Sequence, residues 1–121
     1  MNNFQAEQKL ITEKLQTVNR PSTFNEEQWT AVCNLNNKMR QIEGDYMREG
    51  RTEFPRFTFE VLKAFLVTPR HIFCHPQFAH QAYEDRARPI SCDQVISQPH
   101  LVAMMTALLQ VKAGDKVNFI K

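Results

Sequence analysis

Glycine is scarce in this chain. Of its 121 residues only Gly44, Gly50 and Gly114 are glycine, and none is arranged as Gly-x-Gly. A glycine-rich loop, which lets the backbone close on a phosphate or a nucleoside cofactor, is therefore not written here. An excess of one charge is also missing. Fifteen Lys and Arg face thirteen Asp and Glu, for a net +2, which leaves no basic footprint for a nucleic acid. No apolar run has the length of a membrane span, and the opening MNNFQAEQK lacks the apolar core of a signal peptide. Cys33, Cys74 and Cys92 are odd in number and include no Cys-x-x-Cys pair. A disulfide framework is not expected, and reduced thiols in a cytoplasm fit the pattern. What the chain does have is 42% hydrophobic residues, enough for one modest core at this length.

The pattern predicts a small, mainly α-helical protein of about four helices with a short vestigial C-terminal strand. Phe4, Ile11, Leu15 and Val18 share one face of a first helix, which Pro21 ends. Thr23-Phe24-Asn25-Glu26 has the form of a capping box. It precedes a second helix from about 25 to 48, whose Val32, Leu35, Met39, Ile42 and Tyr46 follow a 3-4-3-4 spacing. Two readings of that stripe stay open, a core-facing seam and a surface for self-association or a partner. Gly50 ends the helix. A third helix spans about 58–67, with Phe59, Leu62, Phe65 and Leu66 on one face, and Thr68-Pro69 stops it. A loop-rich stretch follows to Ser97, with a short strand or turn at Val95-Ile96. In the fourth helix Ser97 is the expected cap, Pro99 lies in the first turn and Gly114 follows the end. Leu101, Met105 and Leu108, flanked by Met104 and Leu109, are its expected buried stripe. The organisation expected is an N-terminal helical extension over 1–52 and a second segment over 53–121.

Several motifs of the second segment agree in order. Val67-Thr-Pro-Arg70 with Phe73 comes first, then Gln81-Ala-Tyr-Glu-Asp85 with Pro89-Ile90. Gln94-x-Ile96-Ser-Gln-Pro99, Val102-Ala103, Met105-Thr106 and Leu108-Leu109 complete the series. Residues 57 to 120 resemble the N-terminal part of the protein-L-isoaspartate (D-aspartate) O-methyltransferases. Residues 1 to about 50 have no such counterpart. The resemblance implies a seven-stranded sheet flanked by helices, S-adenosylmethionine as cofactor, and methyl transfer to an isoaspartyl carboxylate. It makes Ser97 the counterpart of the active-site serine beside that carboxylate. Gln94, Ile96, Gln98 and Pro99 then shape the loop and form part of the peptide-binding wall. The alternative role for Ser97 is that of a helix cap.

The departures from the family bear on activity. Its Pro-Ile-Gly-x-Gly-Gln reads Pro89-Ile90-Ser91-Cys92-Asp93-Gln94 here, so both glycines are replaced and the loop is expected to differ in shape. Val117 to Lys121 stands where the first core strand would begin, and the sequence ends within it. The expectation is therefore that no cofactor-binding residue is encoded.

Three further constellations contain reactive side chains. His71, Cys74, His75 and His80 supply zinc-type ligands within ten residues, but Pro69 and Pro76 interrupt any helix that would align them, and no metal is expected. Cys74 or Cys92 with His100 has no local feature to orient a base against a thiol. Glu84 and Asp85 are adjacent, so their side chains are expected to diverge, either solvated or paired with Arg86 and Arg88, rather than act together. The function expected is that of a non-catalytic, protein-binding or regulatory relative of the methyltransferases. It would bind another protein or a second copy through its N-terminal helices, with neither a nucleic acid nor a membrane as partner. The alternative is a methyltransferase fragment active only when another chain completes it.

Overall fold

The computed structural model describes residues 3–90 and 94–116. Helix α1 (Asn3–Leu15) carries one fully buried residue, Ile11. So small an apolar contact would hold a polar helix weakly, and a polar clamp supplements it. The Arg40 guanidinium donates to the Gln8 carbonyl at 2.9 Å, to Gln8 Oε1 at 3.0 Å and to Thr12 Oγ1 at 2.7 Å. Half-burial pushes the Arg40 pKa down, and Glu43 opposes that shift.

Helix α2 (Glu26–Arg48) begins two residues later than the expected box would place it. Asn25, not Thr23, is the N-cap. Its side chain accepts from the Gln28 amide at 2.7 Å, and Gln28 Oε1 accepts from the Asn25 amide at 2.8 Å. Both quartets have a capping-box pattern, and the turn after Pro21, with Phe24 N–H donating to the Pro21 carbonyl, carries the chain past the first. Gly50 takes φ +73 beyond the helix end, a conformation that favours glycine. Val32, Leu35 and Met39 of the heptad-like stripe point into the chain's own core.

Thr58 caps α3 (Phe59–Val67) by accepting from the Val61 amide. This helix is the hub, in contact with α1, α2 and α5. Leu62 is entirely buried and meets Ile11, Leu35, Met39, Phe57 and Ala103 in one cluster. Phe24, Val32 and Leu66 form a second. Residues on both sides of position 52 thus share a core. Two polar contacts lock the registers: Asn36 Nδ2 donates to the Leu62 carbonyl at 3.1 Å, and the Phe57 amide donates to Glu43 Oε2 at 2.6 Å.

The loop-rich stretch holds more order than its sequence suggests. A one-turn helix α4 (Arg70–Phe73) and a 3-10 helix (Pro76–Gln81) precede strands β1 (Arg88–Pro89) and β2 (Val95–Ile96). The strands pair antiparallel, Arg88 opposite Ile96 and Pro89 opposite Val95. The expected strand at Val95-Ile96 is present. The fold is mainly α, as the sequence predicts. The expected C-terminal strand at 117–120 lies outside the described residues.

Helix α5 (Pro99–Leu109) corrects the sequence reading most. Pro99 and Ala103 are its buried residues. Leu101, Met105, Leu108 and Leu109 are 48%, 59%, 62% and 73% exposed. The expected stripe is the outward face. Its residues are apolar on every side (PHLVAMMTALL), so periodicity cannot give the rotation of this helix. The small Ala103, and not the larger Met105, is what allows close approach to α3.

Candidate functional site

The segment from Asp85 to Pro99 is a hairpin anchored from behind. The Ile90 amide donates to the Gln94 carbonyl at 2.9 Å, closing the strands, and the His75 amide donates to the Pro89 carbonyl at 3.3 Å. The buried Arg88 pairs with Glu84, which also lies near Arg86. Arg70, itself buried, donates from Nε to the Ala82 carbonyl at 2.6 Å and from one Nη to the Arg86 carbonyl at 3.3 Å. These bonds tie the turn leading into β1 to α4.

Asp85 organises the exit of the hairpin. Its carboxylate Oδ1 accepts from the His100 amide at 2.9 Å, and its carbonyl accepts from Gln98 Nε2 at 3.1 Å. It therefore caps α5 from fifteen residues away. The expected cap does not form: the N-cap position is Gln98, without a side-chain cap bond, and Pro99 is at the first helical position. Ser97 lies one residue too early and is exposed. Because a cap needs only an acceptor in the right place, a tertiary carboxylate substitutes for a local hydroxyl. Sequence spacing carries no signal of that. Glu84 and Asp85 do diverge as expected, one to arginines and the other to the helix.

Gln94 and Val95 are also exposed, Ile96 and Gln98 are partly covered, and Pro99 is buried. The four residues expected in the wall, Gln94, Ile96, Gln98 and Pro99, and the expected active-site Ser97 thus follow one another from just before β2 to the start of α5. Pro99 and Gln98 serve as the anchor, while Gln94 and Ser97 face outward. The Ser97 hydroxyl forms no hydrogen bond with the described residues, so it can donate to an incoming carboxylate. Behind it, His100 packs edge-on against Phe57 with ring centroids 5.9 Å apart. Burial pushes the His100 pKa down, which favours a neutral ring, and Asp85 opposes that shift. Residues 91–93, which include the two replaced glycine positions and Cys92, lie outside the described residues.

The other constellations take structural forms. His71 Nε2 lies 2.8 Å from the Thr23 carbonyl, which can only accept, so Nε2 donates. Nδ1 then accepts from the Tyr83 hydroxyl at 2.8 Å. Burial pushes the Tyr83 pKa up to about 12, consistent with a hydroxyl that keeps its proton. His75 Nδ1 accepts from the Gln77 amide. Among the described residues no group of three or more His, Cys, Asp and Glu is arranged to hold a metal ion. The Cys74 thiol is buried and burial pushes its pKa up, opposed by Arg70 and Arg88. It is no ready thiolate.

A Cβ at Gly44, inside α2, would meet Arg48 Nη1 at 3.5 Å, and at Gly50 and Gly114 it would meet open space. No helix among the described residues is long and apolar enough to cross a membrane.

Comparison with known proteins places this hairpin in a family context. The family model described as protein-L-isoaspartate(D-aspartate) O-methyltransferase matches residues 46–120. A protein-L-isoaspartate O-methyltransferase of Flavobacterium psychrophilum is 51% identical over 57 residues, covering 47% of this chain and 27% of that protein. The enzyme of the same name from Dictyoglomus turgidum is 48% identical over 58 residues, 48% of this chain and 26% of its own. That of Cellvibrio japonicus is 54% identical over 58 residues, 48% and 25% respectively. The chain thus spans about a quarter of the length of the curated relatives it matches.

Proposed function

Given that the chain belongs to the protein-L-isoaspartate (D-aspartate) O-methyltransferase family, we propose that its 121 residues are a binding element of such an enzyme rather than a complete catalyst. They supply the peptide-side wall, and they transfer no methyl group unless a further polypeptide surface provides the cofactor site. The observation that carries this reading is the uncovered arc of α5. Leu101, Met105, Leu108 and Leu109 form one contiguous apolar face without a charge, on a helix whose opposite side is already packed. A helix apolar on both sides is suited to burial between two layers, such as helices on one side and a sheet on the other.

The role of each wall residue follows from its position. Ser97, outward and unbonded, donates to the isoaspartyl carboxylate. Gln94 lies alongside as a second polar contact, Ile96 supports the loop from beneath, and Gln98 with Pro99 holds the turn through Asp85. S-adenosylmethionine, the methyl donor that the family name implies, is in this reading held elsewhere, since the three glycines of the chain include no Gly-x-Gly loop. Accurate placement supplies much of the catalysis in group transfer, so this wall without a donor site is inert. The setting proposed is cytoplasmic, with both described thiols free.

A second reading is favoured by one feature. Ser91 and Asp93 replace glycines in the family loop, and a wall of altered shape suits a regulatory protein that occupies a partner without restoring activity. Calorimetric titration of S-adenosylmethionine into the chain, with a methyl-transfer assay on an isoaspartyl peptide, tests the proposal. No heat and no transfer are expected from the chain alone. Micromolar binding or turnover would overturn it.

A further inference from the structure

Between α2, α3 and α5 lies a cavity of about 280 Å³, bounded largely by Val32, Met39, Phe65, Phe73 and Val102. Most of its wall is hydrocarbon, yet Arg70 also lines it. That arginine is 9% exposed and forms no ion pair among the described residues. Two of its nitrogens donate to the Ala82 and Arg86 carbonyls, and the other Nη has no hydrogen-bond partner among the described residues. The neighbouring carboxylates are engaged elsewhere, Glu84 with Arg86 and Arg88 and Asp85 with the α5 amide. Buried charges in proteins are normally paired. No carboxylate pairs directly with Arg70, Asp85 only favouring its charge from farther off, and a cavity adjoins the cation.

From this juxtaposition we propose that the cavity binds a small aromatic or branched aliphatic carboxylate, its apolar body among the side chains named and its carboxylate on the free Nη of Arg70. The class follows from charge complementarity and size. A cavity of about 150 Å³ accepts benzene, so this one takes a body of roughly ten non-hydrogen atoms, below the range of drug-sized sites. A charge-assisted bond in an apolar surround discriminates strongly against an uncharged analogue. Asn36, 4% exposed and also lining the cavity, adds a polar group that orients the ligand. This site does not depend on the methyl-transfer reading, because it uses none of the wall residues except the rim contact of Ile96.

The test is a titration of the 121-residue chain followed by amide NMR, with 3-phenylpropionate as probe and 3-phenylpropionamide as its uncharged counterpart. Saturable shifts are expected at Val32, Met39, Phe65 and Val102, with the amide about tenfold weaker or more. Val102→Phe, which fills the cavity and removes no polar group, should abolish the shifts while leaving the amide spectrum dispersed. Equal binding of acid and amide would overturn the role of Arg70. Failure of the acid to saturate at millimolar concentration would overturn the site, as would unchanged binding in a folded Val102→Phe protein. Because the comparison of acid with amide uses the unsubstituted chain, a variant that fails to fold does not remove the test.

Discussion

Aspartates introduced two residues apart on α5 should have very different effects. Ala103 has no exposed surface and packs in the cluster of Phe57, Leu62 and Met39. Ala103→Asp puts a carboxylate there with no cation to meet it, a change that costs several kcal/mol. Helix propensity adds about 0.7 kcal/mol. Against a total stability of roughly 5–15 kcal/mol, the variant should be unfolded or should melt about 15 °C lower or more, at about 4 °C per kcal/mol. Met105 is 59% exposed, so Met105→Asp gives up about two-fifths of a side-chain burial, near 1 kcal/mol. With about 0.5 kcal/mol of propensity, its melting point should fall by only about 6 °C. Thermal and urea unfolding followed by circular dichroism would measure both. Equal losses, or a worse loss for Met105→Asp, would mean that α5 sits rotated about its axis and that the uncovered arc is not the one described.

Three further outcomes follow from single residues. Asp85→Ala removes the tertiary cap of α5 and should cost about 1 kcal/mol, with faster amide exchange in the first turn of α5; unchanged exchange there would deny Asp85 that role. Burial raises the Glu43 pKa above its usual 4.5, opposed by the Phe57 amide and Arg56. A carboxyl raised on folding binds its proton more tightly in the native state, so its contribution is most favourable below the unfolded value and is lost as pH rises through the folded one. The stability of the parent relative to Glu43→Gln, from urea midpoints, should therefore fall as pH rises above the usual 4.5, and a rising difference would reverse the assignment. Cys74, buried with its pKa pushed up, should react with iodoacetamide slowly under native conditions and fast in urea. Rapid native labelling would show that the thiol is open.

The helices were legible because their signals are local. Thr58 and Gly50 act within a turn of where they stand, so the ends of α2 and α3 could be read to within a residue or two. Helix α1 instead ends at Leu15, before Val18 and six residues short of the expected stop at Pro21. The start of α2 carries two overlapping capping boxes, and only the path of the chain after Pro21 decides between them. The segment of the proposed wall was legible as a motif, since Gln94 to Pro99 are consecutive. Its support was not, because Asp85 and Arg70 act through tertiary bonds to backbone groups that no spacing rule reveals. The rotation of α5 was misread for a related reason. A helix with apolar residues all round has no phase in its sequence, and the neighbour that fixes it, α3, approaches over an alanine.

The most direct measurement of the proposed role is methyl transfer in a chimera. The segment of this chain that matches the Flavobacterium psychrophilum enzyme would replace the corresponding 57 residues of that protein. Transfer from S-adenosylmethionine to an isoaspartyl peptide would then be compared with that by the 121-residue chain alone. The expected result is activity in the chimera, strong reduction by Ser97→Ala without loss of fold, loss of fold by Met105→Asp, and none from the chain alone. A folded chimera that binds S-adenosylmethionine but transfers nothing would contradict the peptide-wall role, and turnover by the isolated chain would contradict the need for a second surface.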